Sequence, residues 1–375
     1  MKKTYLLLMF TALFMACSSD DSSEEVQIPE NDIETNDDIN GIYIMCEGNW
    51  GSNNAAIDYL NFKTSEYTQN IFSKVNSDVI MGLGDTSSDM QVNGDQFWVV
   101  VNGSNKVEVL SKETCKRIKK IDIPNCRYVT FHNNHAYVSS YVGPMGADNI
   151  QLGTVFKIDV NTLEKVDSLV VSYQPEEMAV VDDILYVACS GGYRYPIYDR
   201  VVSTINLKDF KRGNDIDVEL NLHRVRKDSH DNLWITSRGN YEDVSPALFC
   251  YNKDKSGNMT LTKKIDIAVS DMCIVGDSLY YFGVEWSNET MSNNVSYGII
   301  NTETLEKVET TIFSNDAFKQ VEVPYGIIVS PDSRDIFITD AKNYVSSGKL
   351  YHFDANGTLK NSVWTSDIPS KMIFN

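Results

Sequence analysis

One pattern recurs seven times along this chain, and it restricts the fold more than any single motif. Each copy reads as a turn, an aromatic, a short apolar strand and a polar loop. The copies are Gly41-Ile42-Tyr43-Ile44-Met45, Gln96-Phe97-Trp98-Val99-Val100, His135-Ala136-Tyr137-Val138, Ile184-Leu185-Tyr186-Val187, Asn232-Leu233-Trp234-Ile235, Ser278-Leu279-Tyr280-Tyr281 and Asp335-Ile336-Phe337-Ile338. Successive aligned aromatics are 55, 39, 49, 48, 46 and 57 residues apart. Five copies follow a pair suited to positive φ: Asn93-Gly94, Asn133-Asn134, Asp182-Asp183, Asp231-Asn232 and Gly276-Asp277. Such pairs make two-residue hairpins, so a strand is expected before each aromatic strand as well as after it.

A second column follows in register. Val155-Phe156-Lys157-Ile158-Asp159 matches Gly298-Ile299-Ile300-Asn301, and segments beginning at Ile57, Val107, Ser203 and Leu350 fit the same frame. A more polar fourth strand follows, as at Asp215 to Leu220 or Lys263 to Ile267. A period of this length carrying four strands is the mark of a β-propeller blade. The expected fold is therefore all-β: a seven-bladed β-propeller over residues 41–375. The first repeat lacks an innermost strand, and Ser370 to Phe374, with no blade of its own, is expected to supply it and close the ring. A solenoid is the rival architecture, but neither capping repeats nor a helical period is present.

The N-terminus reads as an address. Met1-Lys2-Lys3-Thr4 is a basic n-region, Tyr5 to Phe14 is apolar, and Ala16 precedes Cys17. This resembles a bacterial lipoprotein signal over residues 1–16, with the Cys17 thiol as the lipidation site. Residues 17–40 follow as an acidic tether: positions 18 to 40 hold nine acidic residues and no Lys or Arg. The expected location is the outer membrane, lipid-anchored and facing outward, because acid just after the cysteine looks like a surface-export signal of Bacteroidetes lipoproteins. A net charge of -19 disfavours nucleic acid as a partner. Beyond the first sixteen residues no apolar run is long enough for a membrane-spanning helix.

Catalytic signals are weak. Neither a Gly-x-Ser-x-Gly elbow nor a phosphate-binding glycine loop occurs, and His132-x-x-His135 flanks a hairpin turn. No catalytic or metal-ligating residue is assigned, and no cofactor is expected. Cys46 and Cys189 read as small apolar core residues, while Cys115 and Cys126 could pair in an oxidising compartment. The informative feature is the set of loops after each aromatic strand, which open on one face of a propeller. Six of the seven carry an aromatic beside Asn, Ser or Gly: Trp50, Tyr141, Tyr193 with Tyr195, Tyr241, Trp286 and Tyr344. Aromatics offer flat apolar contact and amides offer directed hydrogen bonds, a combination suited to a large amphipathic ligand.

Cys46-Glu47-Gly48-Asn49-Trp50-Gly51-Ser52-Asn53-Asn54-Ala55 resembles the corresponding loop of Bacteroidetes surface lipoproteins related to the YncE-like propellers, most closely the BtuG type. Leu83-Gly84-Asp85, Val100 to Val109 and Ser237-Arg238-Gly239-Asn240-Tyr241 extend the resemblance. It implies capture of cobalamin (vitamin B12) or a related corrinoid, and delivery to a TonB-dependent outer-membrane transporter of the BtuB type. The expected contacts are Asn49, Trp50, Asn53, Asn54, Tyr141, Tyr193, Tyr195, Arg238, Tyr241, Trp286 and Tyr344. The alternatives are the same scaffold carrying a glycan or metal chelate, an adhesion module, or a propeller lactonase or lyase. The enzyme needs converging acids or histidines, and the inward loops offer Glu47, Glu285 and Asp340 but no histidine.

Overall fold

The computed structural model describes residues 39–143, 150–287 and 291–375, with the backbone alone for Trp286 and Ser287. The proposed signal peptide, Cys17 and almost all of the acidic tether lie outside the described residues. The strands form seven antiparallel sheets whose innermost strands pack against one another around an axis. In the second blade the four strands are Ser87–Asn93, Gln96–Val101, Lys106–Ser111 and Arg117–Asp122, from axis to rim. All seven aromatic segments form the second strand of a blade. Gly94, Asn133, Asp182 and Gly276 each take positive φ in the tight turns that precede four of them.

Strand alternation explains why one aromatic recurs per repeat. A middle strand sends alternate side chains to the two neighbouring blades. Ile42 and Ile44 pack with Phe337 and Leu350 of the last blade, whereas Tyr43 and Met45 pack with Phe97 and Val99 of the second. The same step carries Trp98 into the third blade, Tyr137 into the fourth, Tyr186 into the fifth, Trp234 into the sixth, Tyr280 into the seventh and Phe337 back into the first. Blades splay outward from the axis, so the gap between two of them needs one large wedge. Each buried ring contributes roughly 2–3 kcal/mol of apolar transfer.

The ring closes as expected. Pro369–Phe374 pairs antiparallel with Gly41–Cys46, setting Tyr43 opposite Ile373 and Ile44 opposite Met372. Buried Asp58 fastens the joint. It accepts hydrogen bonds from Tyr67 Oη at 2.8 Å, Asn70 N at 2.8 Å, and Ser366 N and Oγ at 2.7 and 2.8 Å. Ser366 belongs to the outer strand of the last blade, so one carboxylate ties both chain ends together.

Three expectations change. The fourth strand of the fourth blade is not a continuous run from Asp215 to Leu220: Lys211–Arg212 and Ile216–Asp217 pair separately with Val201–Asn206. Gly213 lies between them, and a Cβ there would meet Thr204 Oγ1 at 2.4 Å. The sixth loop is largely strand. Ser278–Ser287 and Ser292–Asn301 continue as a hairpin that sets Glu285 opposite Asn294 and Trp286 opposite Asn293. Cys115 and Cys126 are both free and buried, in different inter-blade clusters.

Candidate ligand-binding site at the axial mouth

The loops that follow the middle strands gather around one end of the axis. The Glu47–Asn54 loop is shaped by its own polar residues. Asn49 N donates to Asn54 Oδ1 at 2.7 Å, and Asn49 Nδ2 donates to Val345 O at 3.0 Å. Asn54 Nδ2 donates to Asp367 at 2.9 Å, and Asn53 Nδ2 to Met81 O at 2.9 Å. Gly48 has φ 75°, and a Cβ there would meet Ala55 N at 2.6 Å. Asp85 accepts from Gly51 N at 2.9 Å, and Ser104 Oγ accepts from Asp85 N at 2.8 Å. Three of the four segments of the resemblance thus bond to one another, and together they hold Trp50 outward.

Ser237 to Tyr241 works alike. Gly239 has φ 64°, with Val244 O 1.9 Å from where a Cβ would stand. Asn240 Oδ1 accepts from Glu242 N, Asp243 N and Val244 N at 3.0, 3.1 and 2.8 Å. This tight reversal presents Arg238 and Tyr241. Tyr193 sits on the short helical turn Gly192–Arg194, its N–H donating to Gln174 Oε1 at 2.8 Å. Tyr344 meets Tyr325 edge to face at 5.4 Å.

These loops surround a cavity of about 510 Å³. Trp50, Tyr193, Arg238, Tyr241 and Tyr344 line it. The four aromatics are 64%, 51%, 72% and 45% exposed, far too open for rings that merely plug a channel. The other expected contacts lie elsewhere. Asn49, Asn53 and Asn54 are engaged in the loop bonds above. Tyr141 is buried, its hydroxyl donating to Glu176 and its ring beneath Arg127. Tyr195 points outward, donating to Glu242 at 2.7 Å. The backbone of Trp286 sits in a strand, and its side chain is outside the described residues.

The floor comes from residues that loop reading did not reach. Arg127, Tyr128, His223, Arg224, Tyr325 and Lys371 project from innermost strands. So a histidine does face the axial cavity, contrary to the expectation from the loops. His223 Nε2 lies 3.0 Å from Tyr128 Oη, Arg224 Nη1 donates to the same oxygen at 3.3 Å, and Arg238 Nη2 is 3.0 Å from the His223 ring nitrogens. Burial, then Arg238 and the other arginines, pushes His223 well below its ordinary pKa, so the ring is neutral. Burial raises Glu47 to about 7, although Tyr325, Arg127, Ser370 and Arg224 oppose the shift. It also raises Tyr128 to about 12. Part of the signal was present: Arg224 and Arg226 flank Val225 at the two-residue spacing by which one strand face lines a lumen, whereas His223 joins Arg224 at a register shift between Leu222 and Val225.

Residues 40–375 match the family described as Domain of unknown function (DUF5074). No curated protein matches the chain. Among solved structures, a quinonprotein alcohol dehydrogenase-like protein of Bacteroides thetaiotaomicron aligns at 10% identity and TM-score 0.61, over 89% of this chain and 78% of that one. A functionally unknown protein of Desulfotomaculum acetoxidans aligns at 9% identity and TM-score 0.59, over 89% and 98%. Such distant likenesses establish a shared fold and nothing finer.

Proposed function

Because this chain belongs to the DUF5074 family, whose description leaves function open, we propose its role from the site itself. It is a binding protein that captures cobalamin or a related corrinoid at the loop-face mouth. The observation that carries this reading is the ring of four exposed aromatics, on four different loops, around a polar-floored cavity. A corrinoid is larger than the cavity, so its flat ring would rest on Trp50, Tyr193, Tyr241 and Tyr344 while one edge enters. Cys17 supplies the lipid anchor, the acidic segment the tether at the outer-membrane surface, and a TonB-dependent transporter of the BtuB type receives the cargo.

Calorimetric titration with cyanocobalamin tests it. One-to-one binding is expected, and the double variant Trp50→Ala, Tyr241→Ala should lose most affinity while staying folded, since central aromatic anchors contribute on the order of 2 kcal/mol each. Absence of heat with folded protein would end the corrinoid reading and leave a glycan or chelate as the cargo. A second reading, a lyase or lactonase, draws on Tyr128 and His223, which could move protons at the cavity floor. Turnover abolished by His223→Ala would establish it.

A further inference from the structure

We infer that the floor of the loop-face cavity is a receptor for an anionic group, a phosphate or carboxylate, carried by the ligand; this rests on the reading that ligand binds at this mouth. Arg127, Arg224, Arg238 and Lys371 line the cavity, and among the described residues Glu47 is the only acidic one in its lining. That excess is local, in a chain whose net charge is -19.

A structural role accounts for three of the cations. Arg127 lies 3.3 Å from Glu176, Arg224 lies 3.3 Å from Asp271, and Lys371 lies 3.4 and 3.5 Å from Asp89 and Glu177. These carboxylates stand behind the cavity wall. Even so, Nε of Arg127 is buried without a hydrogen-bond partner, and Nε of Arg224 has only its ion pair with Asp271. Arg238 has no such account. Among the described residues it has no carboxylate within ion-pair distance; its guanidinium meets the neutral ring of His223. Balancing the protein's own acids therefore does not explain its position.

The neutral ring also orients the floor. A proton on Nε2 lets His223 donate to Tyr128 and leaves Nδ1 to accept from Arg238. Tyr128 Oη then accepts from both His223 and Arg224, so its own proton is free to point into the cavity. The guanidinium groups of Arg224 and Arg238 and the Tyr128 phenol line the same cavity as donors, a set that a phosphate or carboxylate satisfies with charge-assisted bonds. Glu47, raised to about 7 by burial, is about half protonated at neutral pH, so its repulsion of an anion is reduced.

The test is calorimetry of the chain with pyrophosphate and, separately, with tricarballylate, which distinguishes phosphate from carboxylate preference. Binding of either is expected, weakened about tenfold by Arg238→Gln and retained by Arg238→Lys. Tyr128→Phe, which removes no charge, should weaken it severalfold and serves if Arg238→Gln melts early. Neither anion binding to folded protein, or binding indifferent to both Arg238→Gln and Tyr128→Phe, overturns the inference. Pyrophosphate binding that depends on Arg238, without any binding of cyanocobalamin, sustains the receptor and removes the corrinoid reading. Cyanocobalamin binding undisturbed by excess pyrophosphate and by Arg238→Gln does the reverse.

Discussion

At the hairpin end of the axis the channel widens to about 850 Å³, against about 510 Å³ at the loop end. The larger chamber is the less suited to a ligand. Its walls are inner-strand side chains such as Met178, Val225, Ile274 and Ile327, and its charges are matched. Arg226 bonds Glu177 at 3.1 Å and Asp271 at 2.7 Å. The smaller chamber has exposed aromatics at its rim and a guanidinium, that of Arg238, with no carboxylate at ion-pair distance among the described residues. Ser370 and Lys371 of the closing strand line both, so the two chambers meet at the seam where the ring is joined. Unmatched chemistry, rather than volume, separates a site from a gap between blades.

The strongest way to break that comparison is to exchange one arginine from each chamber. Arg226→Met removes the cation that Glu177 and Asp271 share, leaving them Lys371 at 3.5 Å and Arg224 at 3.3 Å, and should cost about 3 kcal/mol, read as a fall in denaturation midpoint. Arg238→Gln strands no carboxylate and should shift the same midpoint by less than about 1 kcal/mol. Equal losses would erase the distinction between matched and unmatched charge.

Acid should reveal the matched set next. Burial disfavours ionised Glu177, but Arg226, then Lys371 and Arg224, hold it down at about 2 against an ordinary 4.5. A depressed carboxylate stabilises the fold above its unfolded pKa and loses that contribution as pH falls through its folded one. Wild-type stability should therefore drop by a few kcal/mol between about pH 4.5 and pH 2. Glu177→Gln should show a smaller drop in that window.

Glu47 titrates in the opposite sense, at the other chamber. Its raised pKa means that ionisation costs the fold as pH climbs from 4.5 and is complete above about 7. The same ionisation places a negative charge beside Arg127 and Arg224, so pyrophosphate affinity should fall severalfold as pH rises through 7. Glu47→Gln should retain only the ligand's own titration, measured by calorimetry at several pH values. The smallest effect belongs to Tyr195→Phe: its hydroxyl bonds Glu242 away from the cavity, so cyanocobalamin affinity and stability should each move by less than about 0.5 kcal/mol. A large loss would place the binding surface beyond the axial mouth.

Reading along the chain located every blade because strand, turn and wedge are local properties. Tyr43, Trp98, Tyr137 and their counterparts recur because each inter-blade gap needs one large ring, and that need repeats with the fold. The sorting of loop residues was not local. Asn49, Asn53 and Asn54 resembled ligand-binding amides, yet their partners are Val345, Met81 and Asp367, distant in sequence or across the closed ring. Tyr141 resembled a platform aromatic, yet it is buried against Glu176 and Arg127, which come from two innermost strands.

The seven-fold repeat, the all-β class, closure by the last strand, and the face on which Trp50, Arg238 and Tyr241 appear were all legible along the chain. Which side chains share a cavity emerged only from the folded ring. The floor brings together Arg127, Tyr128, His223, Arg224 and Lys371 from three innermost strands, spread over most of the chain. The physical reason is the closed ring. Repeat spacing sets each blade's own strands, but the distance between innermost strands of different blades is set by how all seven wedges pack around one axis.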